Sequence, residues 1–224
     1  MMKKSVVVCL LLIVLASGCA GHMNYRPPKS IAPLSNSIEI LKSKDEVWKI
    51  LVPALGKNFF VINNLDKESG LINISYSGDP EKYVDCGYIE SYVKNARGER
   101  TYNFSASSAN QNYEVMDMAH GGLFFVNRKM NLEGRMNLIV EEISPDKTRV
   151  TADAKYILTK SGTVRNVQNI ERSFSDTISF NSNQSARFPG NGDQISGNGD
   201  QTRTLCQANG KFENEVLLLL LNSK

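Results

Sequence analysis

The sequence predicts an α+β domain: a single antiparallel curved sheet packed by an N-terminal helix at about 43–56 and a C-terminal helix at about 208–222. Three observations carry this expectation. Two long runs alternate apolar and polar residues on either side of Ser144-Pro145-Asp146-Lys147, a turn-forming sequence. Ser43-Lys44-Asp45-Glu46 is a capping box, with a serine to accept from the first turn and a glutamate to bond back. The stretch 216–221 is apolar throughout and follows polar residues that open a helix.

Taken in order, the chain begins with Lys3 and Lys4, an apolar run at 6–16, and then Ser17-Gly18-Cys19. A positive end, an apolar stretch of roughly 7–15 residues and small residues at a cut make a secretory signal. The run is short of the roughly 20 residues that span a bilayer. Leu15-Ala16-Ser17-Gly18-Cys19 resembles the lipobox of bacterial lipoproteins, with Ala16 where the family prefers a larger aliphatic residue. The resemblance implies cleavage before Cys19 and acylation of its thiol, with the lipid bilayer as partner. The family's sorting rule implies the outer membrane, periplasm-facing, because Ala20 rather than aspartate follows the cysteine. Residues 1–18 are then the signal, 19–36 a flexible tether and 37–224 one domain. Pro27, Pro28 and Pro33 favour extended backbone in the tether, which at about 3.3 Å per residue reaches roughly 50–60 Å.

Within the domain, residues 37–41 form a short strand candidate. The capped helix follows, with Val47, Ile50, Leu51, Ala54 and Leu55 on one stripe and Trp48 at its border. Pro53 inside it predicts a kink or break. The runs 59–63 and 71–77 read as a hairpin turning at Gly70, and 83–93 and 101–107 as further strands. Residues 109–122 are polar and contain glycine, so they read as a loop. The strongest β pattern puts Met130, Leu132, Gly134, Met136, Leu138 and Val140 on one face. After the turn, Val150, Ala152, Ala154, Tyr156 and Leu158 do the same. A last strand is expected at 172–180. Residues 181–204 read as a mobile loop, Gly/Asn-rich, holding a direct repeat of Gly-Asn-Gly-Asp-Gln that begins at Gly190 and again at Gly197. Two copies at that period match no calcium-binding roll.

The formal net charge of +3 includes Lys3 and Lys4, so the exported part is close to neutral and nucleic acid is not an expected partner. Cys9 leaves with the signal and Cys19 is the lipid site, which leaves Cys86 and Cys206 for a disulfide in an oxidising compartment. Closing so long a loop stabilises by about 4–5 kcal/mol in the chain-entropy model. No metal set is expected from two cysteines and His120. His120-Gly121-Gly122 is reminiscent of an esterase oxyanion loop, but no G-x-S-x-G nucleophile elbow accompanies it. Glu141 and Glu142 are neighbours on a strand and point to opposite faces. The reading is therefore no enzyme, no cofactor and no catalytic residue. Phe124 and Phe125, with Met116 and Met118 upstream, and Trp48 are the candidate partner surface.

The order of elements also resembles helix-grip domains, and residues 38–77 resemble the small helix-plus-sheet domains of BamC-type lipoproteins of the outer-membrane assembly machine. The carrying features are the capped Trp48 helix after a short strand and the hairpin turning at Gly70. The expected function is a binding or structural accessory of an envelope assembly. The alternative is a carrier of a lipid or small apolar ligand between sheet and helix.

Overall fold

The computed structural model describes residues 19–29, 35–58, 60–117, 122–189 and 203–221. Its fold is α+β and dominated by antiparallel sheet. The expected single sheet with both helices on one face is replaced by three sheets. The spine is a long hairpin, β9 (Gly122–Ser144) and β10 (Lys147–Asn166), turning where Pro145 and Asp146 predict. It is too long for one neighbour to cover an edge. Along β9, β8 (Asn110–Asp117) pairs the first part and β4 (Leu71–Gly78) the last. Along β10, β2 (Ser37–Ile40) and β11 (Glu171–Asn181) do likewise, and β3 (Val61–Asp66) completes seven strands beside β4.

The inner face follows strict alternation. Met130, Leu132, Met136, Leu138 and Val140 are buried on β9, and Val150, Ala152, Ala154, Tyr156 and Leu158 on β10. Against it lie helix α1 (Lys44–Lys57) and helix α2 (Lys211–Leu221), which also touch each other. The α1 capping box forms as expected: Glu46 N–H donates to Ser43 Oγ, and Ser43 N–H to Glu46 Oε2 at 2.9 Å. Val47, Leu51 and Leu55 are buried at helical spacing. Pro53 does not break the helix, which runs on to Asn58, whose N–H bonds the Ala54 carbonyl. Pro53 and Lys49 both lie on the exposed face of the helix, where the carbonyl deprived of its donor can be reached by water.

The α2 helix starts later than expected, and its apolar run is buried only in part. Phe212, Val216, Leu217 and Leu220 are buried, while Leu218 and Leu221 are exposed. Its anchor is Phe212, whose ring covers Gly134 so closely that a Cβ there would stand 2.9 Å from it. Tyr83 and Tyr156 pack around the same ring, with centroids 4.9 and 6.1 Å away. Glycine inside this strand is thus the site of a close aromatic approach.

The second sheet corrects the expected tether. Residues Ala20–Arg26 are not a linker but a strand, β1, paired along its whole length with β6 (Tyr88–Asn95). The β6 strand also pairs β7 (Gly98–Ser105). The expected loop at 109–122 is corrected as well, since most of it is β8. The third sheet is small: β12 (Ser185–Arg187), β13 (Leu205–Ala208) and β5 (Val84–Asp85). It takes up part of the expected mobile loop, and Phe188 and Thr204 beside it are fully buried. The duplicated Gly-Asn-Gly-Asp-Gln stretch lies outside the described residues.

Candidate functional site

Cys19 is exposed and immediately precedes β1. The strand register pairs Ala20 with Lys94 at the end of β6, next to the β6–β7 turn. Gly21 sets how closely β1 lies on its neighbours. A Cβ there would run into the Met116 side chain and stand 2.7 Å from the Tyr92 carbonyl oxygen. Cys19 opens onto a groove of about 720 Å³ whose lining includes Arg97, Met116, Leu123, Phe125 and Arg165. The Arg165 guanidinium lies 5.0 Å from the centre of the Phe125 ring and donates to Asn169 Oδ1 at 2.6 Å. This stacking on a half-exposed ring fixes a flexible cation at the groove wall.

The expected partner surface divides. Phe124 and Phe125 are consecutive on β9 and so face opposite ways. Phe124 packs against the main core, whereas Phe125 packs against a small satellite cluster of Val93, Met116 and Leu123. Met116 is buried and is not part of an exposed patch. Trp48 is half-buried against the main core on α1, and it does not line the Cys19 groove. His120 and Met118 lie outside the described residues.

Cys86 and Cys206 are disulfide-bonded, which joins the approach to β6 with β13 across a sequence separation of 120. Tyr25 of β1 sits on this bridge. Its single hydroxyl proton lies within bonding distance of the carbonyls of Cys86 and Leu205, at 3.0 and 3.2 Å, and its oxygen accepts from Leu205 N–H at 2.8 Å. Burial raises the Tyr25 hydroxyl above its ordinary pKa, so it remains a donor at neutral pH.

Comparison with family models, characterised proteins and solved structures gives no match. The chemistry of the domain therefore rests on its own residues. Among the described residues no cluster of His, Cys, Asp and Glu is arranged to hold a metal. The buried carboxylate Glu213 accepts from Tyr156 Oη at 2.7 Å and from Ser182 Oγ at 2.6 Å, an arrangement that ties α2 to the sheet. Burial first, and the Glu213 charge second, push Tyr156 up. Tyr83, which donates to Glu215 Oε2 at 2.8 Å, is pushed up to about 12 chiefly by burial.

Two buried cations escaped the sequence reading. Arg128 and Lys160 lie on the inner face of β9 and β10, fully buried. Arg128 donates to the Ala106 carbonyl, and Lys160 Nζ stands 4.9 Å from the centre of the Phe188 ring. Both continue the apolar phase, Arg128 two residues before Met130 and Lys160 two after Leu158, with Val126 and Val164 buried beyond them. That continuing phase was the available signal. The exposed turn residues Val167 and Ile170 carried none, since single apolar residues on a turn are ordinary in any sequence.

Proposed function

We propose that the chain is a lipid-anchored lipoprotein of a bacterial outer membrane, facing the periplasm, whose domain serves as a binding or structural accessory of an envelope assembly. The observation that carries the reading is the division among the cysteines. Cys86 and Cys206 are tied to each other, while Cys19 stands exposed at the head of β1, where the lipobox-like sequence puts the acylated residue. A disulfide closing so long a loop suits an oxidising compartment rather than the cytosol. No helix among the described residues is long and apolar enough to cross a membrane, and in this reading acylated Cys19 supplies the anchor. Dual acylation supplies stable anchoring where one chain does not.

The carrier alternative finds less support. The space between α2 and the sheet is taken up by the rings of Phe60, Tyr76, Tyr83, Tyr156 and Phe212, with neighbouring centroids 4.9–6.1 Å apart. Mass spectrometry of the mature N-terminus tests the anchor: acylated Cys19 is expected, and an unmodified terminus at another residue overturns it. Cys19→Ala should release the protein from membranes. Crosslinking in intact cells tests the accessory role, with recovery of envelope proteins expected. Recovery of lipid alone would favour the carrier.

A further inference from the structure

We propose that the end of the domain carrying Cys19, the β6–β7 turn and the β10–β11 turn lies flush on the lipid bilayer, with the long hairpin standing away from it. The inference rests on the reading of Cys19 as the acylated residue and adds an orientation to it.

The first argument is slack. A tether would let the domain swing at any angle. Here Cys19 is followed directly by Ala20, which is already paired with Lys94. One trans peptide step is about 3.8 Å, so a lipid on the Cys19 thiol brings the headgroups to the first rung of the sheet. The strand cannot lift away to restore slack without separating Gly21 from the Met116 side chain and the Tyr92 carbonyl.

The second argument is what stands at that end. The β10–β11 turn reaches the Cys19 groove through Val167 and Asn169, and the β6–β7 turn reaches it through Asn95, Ala96 and Arg97. Val167 is 52 % exposed and Ile170 69 % exposed, on a turn with no cover of its own. Apolar side chains beside cations suit the boundary between headgroups and acyl chains, and Arg97 and Arg165 supply the charge that anionic headgroups attract. Beside the β6–β7 turn, Glu99 is paired with Lys94 at 2.7 Å, so its charge is balanced there. The occupant is thus a lipid surface. A second possibility, that the protein's own acyl chains fold into the groove, is an outcome of the test.

The opposite end follows from the length of β9. Its 23 residues extend roughly 70 Å at about 3.3 Å each. The turn at 144–147 and the β3–β4 turn, where Val140 N–H bonds the Gly70 carbonyl, are therefore held far from the bilayer.

The test uses the full chain, exported, purified and reconstituted in vesicles of phosphatidylethanolamine and phosphatidylglycerol. Nitroxide labels are placed through Val167→Cys, Ile170→Cys and Asp146→Cys, with Cys19 acylation measured by mass spectrometry on the same samples. The expected result is that labels at 167 and 170 relax with oxygen and lose access to a water-soluble nickel complex, while the label at 146 stays accessible to it. Acylated protein with equal nickel access at all three positions overturns the orientation and leaves the anchor standing. The same holds if a Leu123→Cys label loses nickel access only when Cys19 is acylated while 167 and 170 stay open, which is the pattern of acyl chains in the groove. An unacylated Cys19 overturns the anchor and the orientation with it.

Discussion

The two halves of the β9–β10 hairpin are covered by different means. From Met130 to Val140 and from Val150 to Leu158 the inner face is apolar, and two helices pack on it. At Arg128 and Lys160 the same face carries buried cations, and its cover there includes the segment after β7, Phe188 beside the third sheet and Tyr25 of β1. The difference teaches that helix cover works chiefly through an apolar stripe, to which α2 adds one buried carboxylate, Glu213. Cover by loops and strand edges brings backbone carbonyls and rings to the face, and these hold the cations Arg128 and Lys160, whereas the buried carboxylate on the helix side, Glu213, is held by hydroxyl donors from Tyr156 and Ser182.

The comparison can be broken most severely at the disulfide. Cys86→Ser with Cys206→Ser should destabilise by about 5 kcal/mol in the chain-entropy model, and reductant should do the same to the native protein in urea titrations. The loss should appear first as protease sensitivity of β1, because Tyr25 rests on both ends of the bridge. Next is the helix-covered half: Leu138→Ala should cost roughly 2–5 kcal/mol in the same titrations, the range for an emptied apolar core site. Gly134→Val should cost about 1–3 kcal/mol by forcing Phe212 off the strand, a displacement visible as altered aromatic ring shifts.

The pH dependence sharpens the same half. Tyr83 is raised in the folded state, to about 12, so folding binds its proton more tightly than the unfolded chain does. Its contribution is complete below the ordinary tyrosine value of about 10 and is lost as pH rises from there through about 12. Thermal stability should fall across that window, and Tyr83→Phe should flatten the slope. The smallest expected effect lies at the other end: Ile170→Asp should alter unfolding stability by less than about 0.5 kcal/mol, since the side chain touches little. The same substitution should weaken seating on vesicles, which separates a surface role from a structural one.

The helix-covered half was legible in the sequence because each element announces itself locally. Ser43 and Glu46 mark a helix start, Pro145 and Asp146 mark a turn, and the period-two face needs no partner to be seen. The disulfide was legible from the sorting of the cysteines. The other half was not. Whether Ala20–Arg26 is linker or strand depends on β6, more than sixty residues away, and on a glycine whose meaning appears only beside Met116. Residues 110–117 are polar because one face of β8 meets Arg100 through Glu114, at 2.6 Å, and this mimics a loop. Arg128 and Lys160 look like the end of an apolar stripe because burial of a cation depends on carbonyls and rings supplied from elsewhere. Of the candidate site, Cys19 was named by the sequence, whereas the turns that share its groove could be found only once the strands were registered.

The seat of Tyr25 bears on the order in which the molecule can fold. Its partners at Leu205 are 180 positions later in the chain. β1 cannot seat Tyr25 until β13 is in place, so the first strand stays incompletely docked while the sheet between them forms. β13, with α2 behind it, is then the latch that closes on the first strand. Truncation near the C-terminus should therefore be felt at the opposite terminus, beside Cys19, before it is felt in the middle of the sheet.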